Sequence, residues 1–435
     1  MFSMANSYLL ILICFISCQS PSKNKNGKTN NDNIETIALS QPLPVPKEEA
    51  LRIAQACQLW YDSTLALKGF NGGILVAKNG NIIFEKYSGT GHLPGNDLIN
   101  AGIPFHIASV SKTFTAMAVL KLWQEGKLKL DDEISVYFPT LNFPGVTIRT
   151  LLNHRSGIPN YIYFMENLGW DKSKYATNED VLNLLITKKD SLQNIASPNT
   201  KFSYCNTNYA LLALLIEKVS GKKYPDFLKL SFFEPLQMNN SFVFSLADTN
   251  TVNPSYDWKE RLMPFNFLDG VYGDKNIYTT PRDLLIWDRA LSGNLLFTPE
   301  TFAQAYAPYS NERPGIRNYG LGWRMNIYPT GKKIVFHNGW WHGNNAVFIR
   351  LLQDSATIIV VGNKFTRAVY HARELCNIFG DYFIDPEEEE NETGRINDSL
   401  SGMKKLFTPK QKIIQKESPL KEFFKDKNKV NQKEN

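Results

Sequence analysis

The stretch FHIASVSKTFTAMAVLKLWQEG, Phe105 to Gly126, places a serine and a lysine at the head of an unusually apolar helix. From Phe114 to Gln124 the residues are apolar nearly all round, which suits a helix enclosed by its neighbours. Gly126 then ends it. Ser109 and Lys112 stand three residues apart and so share a helix face. The free N–H groups and positive dipole end of a helix start favour a developing oxyanion. A lysine held among apolar side chains loses hydration, which favours its neutral, basic form. The bland alternative is a serine cap with a lysine whose head reaches solvent. Ser-x-x-Lys occurs six times in the chain, starting at Ser20, Ser22, Ser109, Ser220, Ser401 and Ser418, but only Ser109 opens a strongly apolar helix.

Two further pieces lie downstream. Tyr204-Cys205-Asn206 precedes the helical run Tyr209-Ala-Leu-Leu-Ala-Leu-Leu. A tyrosine there can share or relay a proton, and the asparagine can orient a substrate amide; an ordinary helix cap is the alternative. His337-Asn338-Gly339 closes the β-like run Lys333 to Phe336 and precedes Trp340-Trp341-His342-Gly343. The histidine offers a positive or hydrogen-bonding head. The glycine lets a backbone approach the strand edge. Taken alone, such a histidine is structural more often than not.

The body starts with a helix over Pro46 to Lys68, with Leu51, Ala54, Leu59 and Leu65 near helical spacing. Gly73–Lys78 and Asn81–Tyr87 flank Asn79-Gly80, a strong two-residue hairpin signal. Residues from about 130 to 300 read as helices and loops. Strands return at Leu321–Tyr328, Lys333–His337, Ala346–Leu351 and Thr357–Gly362, and a last helix covers Thr366 to Phe383. Strands at both ends with helices between predict an α+β body: one antiparallel five-stranded sheet, terminal helices side by side on one face, and a mostly helical insertion over about 113–300. Cys57 and Cys376 fall in those two helices, where separate buried thiols or a disulfide are the alternatives.

In order, Ser-x-x-Lys, Tyr-x-Asn and His-x-Gly resemble the serine β-lactamase and penicillin-binding-protein superfamily, most closely its class C-like branch of carboxypeptidases, D-aminopeptidases and esterases. Phe105–Lys112, Thr147–Pro159, Tyr204–Ala210, Tyr319–Trp323 and His337–Gly343 all have its look, and the resemblance spans roughly Glu49 to Asp385. It implies a β-lactamase/transpeptidase-like fold and acyl transfer without metal or cofactor. Ser109 would be the acylated nucleophile, and Lys112 its base, alone or shared with Tyr204. Asn206, His337 and Gly339 would bind substrate. The backbone N–H groups of Ser109 and Trp340 would form the oxyanion hole. One departure is His337 where many members carry lysine. A histidine is mostly neutral near pH 7, so a permanent cation for a substrate carboxylate is missing there. That favours a peptidase or esterase over an efficient β-lactamase. Trp340 and Trp341, with Tyr161, Tyr163 and Phe164, are candidates for an aromatic cleft or for core. His154 and Trp323 read as structural.

The chain has 435 residues, 48 Lys+Arg and 42 Asp+Glu, 43% hydrophobic and 21% charged. These are ordinary globular values and exclude collagen-like, coiled-coil or wholly disordered chains. The body Pro46 to Asp385 carries 34 basic and 30 acidic residues, no footprint for nucleic acid. Tyr8 to Ser17 is too short to span a membrane and reads as the apolar part of an export signal. Ser17-Cys18 resembles a lipoprotein cleavage site, so residues 1–18 predict lipid anchoring through Cys18 to the cell envelope. Residues 19–45 are polar and Pro-rich, a tether that does not pack. Residues 386–435 form a charged tail of the same kind. Outside the signal three cysteines remain, so no disulfide scaffold is expected, and no zinc spacing occurs. The expectation is an exported, monomeric serine hydrolase acting on an ester or amide, a D-amino-acid peptide being one candidate. The alternative is a non-catalytic or slowly turning-over binding module on the same scaffold.

Overall fold

The computed structural model describes residues 35–93 and 95–382. Cys18 and the charged tail lie outside them. Asn79 and Gly80 take positive φ, 54° and 80°, the geometry that joins two twisted strands through a two-residue loop. They connect β1 (Gly72–Lys78) to β2 (Asn81–Ser88). Five more strands come from the far end of the body: β3 (Arg317–Tyr319), β4 (Arg324–Ile327), β5 (Lys333–Trp341), β6 (Asn344–Leu351) and β7 (Ala356–Gly362). They form one antiparallel sheet in the order β2-β1-β7-β6-β5-β4-β3.

The expected five strands are thus seven. All the runs read as strands join the one sheet, and Arg317–Tyr319 adds a further edge strand. Arg317-Asn318-Tyr319, at one edge, is too short and polar to show any alternation. The inner strands are covered on both faces. Ile74, Val76, Val347, Ile349, Ile358 and Val360 point into one core, together with α1 (Lys47–Trp60) and the helical turns Arg367–Ile378. Leu75, Ala77, Phe348, Ile359 and Val361 point into the other. There they meet α2 (Ser111–Gln124), α3 (Asn206–Ser220) and α4 (Pro281–Ser292). Strands buried on both faces read as continuous apolar runs, which is the pattern of β1 and β7.

The terminal helices pack side by side as expected. Trp60 Nε1 donates to Glu374 at 3.0 Å, and Arg52 to the Ile378 carbonyl at 3.0 Å. The final element consists of tight 3₁₀ turns over Arg367–Ile378, shorter than the expected helix. Cys57 and Cys376 are buried free thiols. In the other core Phe114 of α2 stacks on Trp287 of α4 at 4.6 Å, a contact worth about 0.5–1.5 kcal/mol beyond its buried area.

One expectation about the tether is corrected. Residues 35–45 of the expected tether lie along the body. Ile37 donates to the Pro235 carbonyl and Leu43 to Asn79, while Ile37 and Leu39 pack on the core. Two isolated apolar anchors in a polar stretch do not show as a periodic pattern. The insertion is mostly helical, and within it Phe242–Val243 and Ile277–Thr279 pair in a small sheet that Phe105–His106 joins from outside.

Candidate active site

Ser109 sits in the tight turn Ala108–Val110 just ahead of α2, not within the helix proper. Ala108 is held at φ +47°, a costly conformation for a residue with a Cβ. Its N–H donates to His106 Nδ1 at 3.2 Å, which pins the turn. The turn also packs on β5. A Cβ on Gly339 would stand 2.2 Å from the Ile107 carbonyl oxygen, so this glycine is what lets the serine turn approach the strand.

Lys112, fully buried, gathers the site. Its Nζ lies 3.1 Å from Ser109 Oγ, 2.7 Å from Asn206 Oδ1 and 2.7 Å from the Asp274 backbone oxygen. Asn206 Oδ1 and the Asp274 carbonyl only accept, whereas the serine hydroxyl both donates and accepts. The same three contacts therefore serve an ammonium giving three hydrogens, or an amine giving two and receiving the serine proton. That exchange is the activation of a nucleophile by an adjacent base.

Asn206 starts α3, and Tyr204 precedes it. With Oδ1 engaged by Lys112, the asparagine has its amide N–H₂ left for a cavity ligand. The Tyr204 ring centre lies 5.0 Å from Lys112 Nζ and 5.3 Å from the Arg324 guanidinium carbon. His154 supports this loop, as its structural reading expects. Its ring packs on that of Tyr204, centroids 4.3 Å apart and tilted by 41°, and its Nδ1 accepts from Cys205 N–H at 3.1 Å and Asn208 at 3.3 Å. Two donors on Nδ1 place the proton on Nε2. Burial, then the charges of Lys112 and other nearby groups, push His154 well below the usual histidine range.

His337 departs from expectation. It is fully buried and does not line the cavity. Its Nδ1 donates to the Asn338 carbonyl at 2.7 Å, and its Nε2 accepts from the Tyr319 hydroxyl at 3.2 Å. Burial first, then the charges of Arg324 and Lys112, push it well below the usual histidine range. Its ring is a neutral, buried part of β5 and presents no cation to the cavity. A cation that does line the cavity is Arg324 on β4, which sequence reasoning missed. Arg324 pairs in register with Phe336, one residue from His337, and lines the cavity. Apart from the Tyr204 ring it has no hydrogen-bond or ion-pair partner among the described residues. The signal was its place directly after the quoted Tyr319–Trp323 run.

A cavity of about 1020 Å³ opens over Ser109, Asn206, Gly339 and Trp340. Trp341 and Tyr163 line it too, whereas Tyr161 and Phe164 turn into the core. β4 pairs with β5 only as far as Phe336, so among the described residues His337–Trp341 has an unpaired edge on that side. Trp323 is buried in the core, as expected. Among the described residues there is no cluster able to hold a metal ion.

Residues 66–378 match the family model described as Beta-lactamase. A penicillin-binding protein of Bacillus subtilis (strain 168) is 31% identical over 352 residues, covering 76% of this chain and 77% of that protein. Among solved structures, the octameric penicillin-binding protein homologue from Pyrococcus abyssi has a TM-score of 0.64 at 24% identity, covering 74% of this chain and 77% of that one. D-amino acid amidase from Ochrobactrum anthropi has a TM-score of 0.61 at 21% identity, covering 75% and 97%. A serine and a buried lysine meeting over a cavity, on a fold shared with these proteins, make this chain a serine hydrolase that belongs to the beta-lactamase family.

Proposed function

We propose that this protein is an exported, lipid-anchored hydrolase of the carboxypeptidase or esterase type. It cleaves an ester or amide, a D-amino-acid peptide being the leading candidate, through an acyl-enzyme on Ser109. The observation that carries the reading is the contact of Ser109 Oγ with a lysine whose other two partners only accept. Lys112 takes the serine proton, alone or shared with Tyr204. Asn206 binds the acyl-side carbonyl. The backbone N–H groups of Ser109 and Trp340 stabilise the oxyanion. Water then releases the acyl group. Arg324, charged at any working pH, holds a carboxylate on the substrate. It stands in for the lysine that the His337 motif lacks. The D-amino acid amidase among the structural neighbours, at 21% identity, shares the fold and is consistent with a D-amino-acid substrate.

The test is labelling of the full purified chain with a fluorophosphonate, read by intact mass beside Ser109→Ala. A single adduct on the parent, lost in the variant, is expected. A folded parent that takes no adduct would favour the non-catalytic module. An adduct that persists in Ser109→Ala would mean another serine is the nucleophile. Export and anchoring are tested separately, by metabolic labelling with a fatty acid and its loss in Cys18→Ala.

A further inference from the structure

Trp341 is held by groups that make no contact with Ser109. Its indole N–H donates to Asp269 Oδ1 at 2.5 Å, and His342 Nε2 lies 3.0 and 2.9 Å from the two oxygens of that carboxylate. Asp269 is 2% exposed. Its other oxygen also accepts the Asn266 backbone N–H. His342 occupies the two-residue turn between β5 and β6 at φ +51°. A buried carboxylate costs hydration that its hydrogen bonds only offset, and left-handed backbone costs stability at a residue with a Cβ. Both features therefore fit a local task better than a contribution to folding, and what they fix is the indole.

On the ring itself, Lys275 Nζ lies 4.8 Å from the Trp341 ring centre. Lys275 is anchored in turn by the Tyr161 hydroxyl at 2.6 Å and the Val271 carbonyl at 2.9 Å. It follows Asp274, whose carbonyl meets Lys112 beside Asn206. Trp341, Lys275 and Asn206 thus border one end of the cavity, and Ile158 and Ile162 line it as well.

We infer that Trp341 is the wall of an acyl-side subsite for a flat aromatic or bulky apolar group, with Asp269 and His342 as the residues that position it. This rests on the serine-hydrolase reading above and narrows its substrate class.

The experiment compares kcat/KM for p-nitrophenyl phenylacetate and p-nitrophenyl acetate on the full chain. The ratio of two substrates on one sample does not depend on how much enzyme is folded. The parent should prefer the phenylacetyl ester about tenfold, the scale of one good apolar contact. Trp341→Ala should bring the ratio close to one. Trp341→Phe should keep most of it, and Asp269→Ala should fall between, because the indole loses the oxygen that accepts its N–H. A parent ratio near one, or a ratio unchanged in Trp341→Ala, would overturn the inference. If neither ester is turned over, binding to Ser109→Ala decides. Phenylacetamide quenching tryptophan fluorescence at concentrations where acetamide does not, with the difference lost in Trp341→Ala, would support the subsite while the catalytic reading fails. Equal binding of both amides would sink the subsite.

Discussion

Replacing Arg324 by alanine separates substrate recognition from chemistry. The guanidinium has no hydrogen bond or ion pair with the described residues. Its removal therefore leaves no buried protein group stranded, and the stability cost is limited to the stack on Tyr204, about 0.5–1 kcal/mol. A charge-assisted hydrogen bond from a half-buried guanidinium to a substrate carboxylate is worth roughly 1.5–3 kcal/mol. At 1.4 kcal/mol per factor of ten, that is roughly 10- to 150-fold in kcat/KM. The assay uses two peptide esters that differ only in a free or amidated carboxyl next to the leaving group. Arg324→Ala should lose roughly 10- to 150-fold on the free acid and less than about threefold on the amide. Arg324→Lys should recover part of the loss, because an ammonium supplies charge without the bidentate fork. Equal losses on both substrates would refute the assignment. They would mean that Arg324 acts by shaping Tyr204 and not by holding an anion.

Lys112→Met should slow fluorophosphonate labelling of Ser109 by about 10²–10⁴-fold, the range for a lost general base. Urea melts should show a cost of roughly 2–5 kcal/mol, because Asn206 Oδ1 and the Asp274 carbonyl lose a buried donor; full-rate labelling would exclude Lys112 as the base. Three buried histidines make stability fall in acid. Burial chiefly pushes His106 down to about 4, and His154 and His337 well below the usual range. The unfolded chain takes up these protons near pH 6.5 while the folded chain does not, so stability is lost as pH drops below about 6.5. The slope should approach about 4 kcal/mol per pH unit, three protons at about 1.4 each. Urea midpoints that stay flat between pH 6.5 and 5 would contradict the buried, neutral state of these rings.

Local chemistry was the legible part of the sequence. Asn79-Gly80 declares its turn within two residues, and α2 declares its burial through an apolar run with no polar face. Ser109, Lys112 and Asn206 were found because each stands at a fixed offset from a helix start, and their convergence on one amine follows from the fold. What stayed hidden depends on contacts across long separations. Asp274 contributes its backbone carbonyl to Lys112 from 162 residues away, and a carbonyl has no sequence signature. The docking of residues 35–45 rests on single anchors. The role of His337 was misread because its motif specifies a residue type and not a burial, and only the packing of Tyr319 behind it shows which way the ring turns.

The histidine at 337 becomes intelligible once Arg324 is placed. The charges of Arg324 and Lys112 both act against a positive charge at His337. A lysine at this position would put a further cation beside them, fully buried, and like charges in a poorly hydrated site repel strongly. This chain carries the arginine, and the motif position is filled by a ring that burial keeps neutral. The two positions are then coupled through charge across neighbouring strands. Changing His337 to lysine should therefore lower stability in the parent, and lower it less once Arg324 is alanine. A double-mutant cycle on urea melts reads that coupling directly, and strictly additive costs would mean that the two positions are independent.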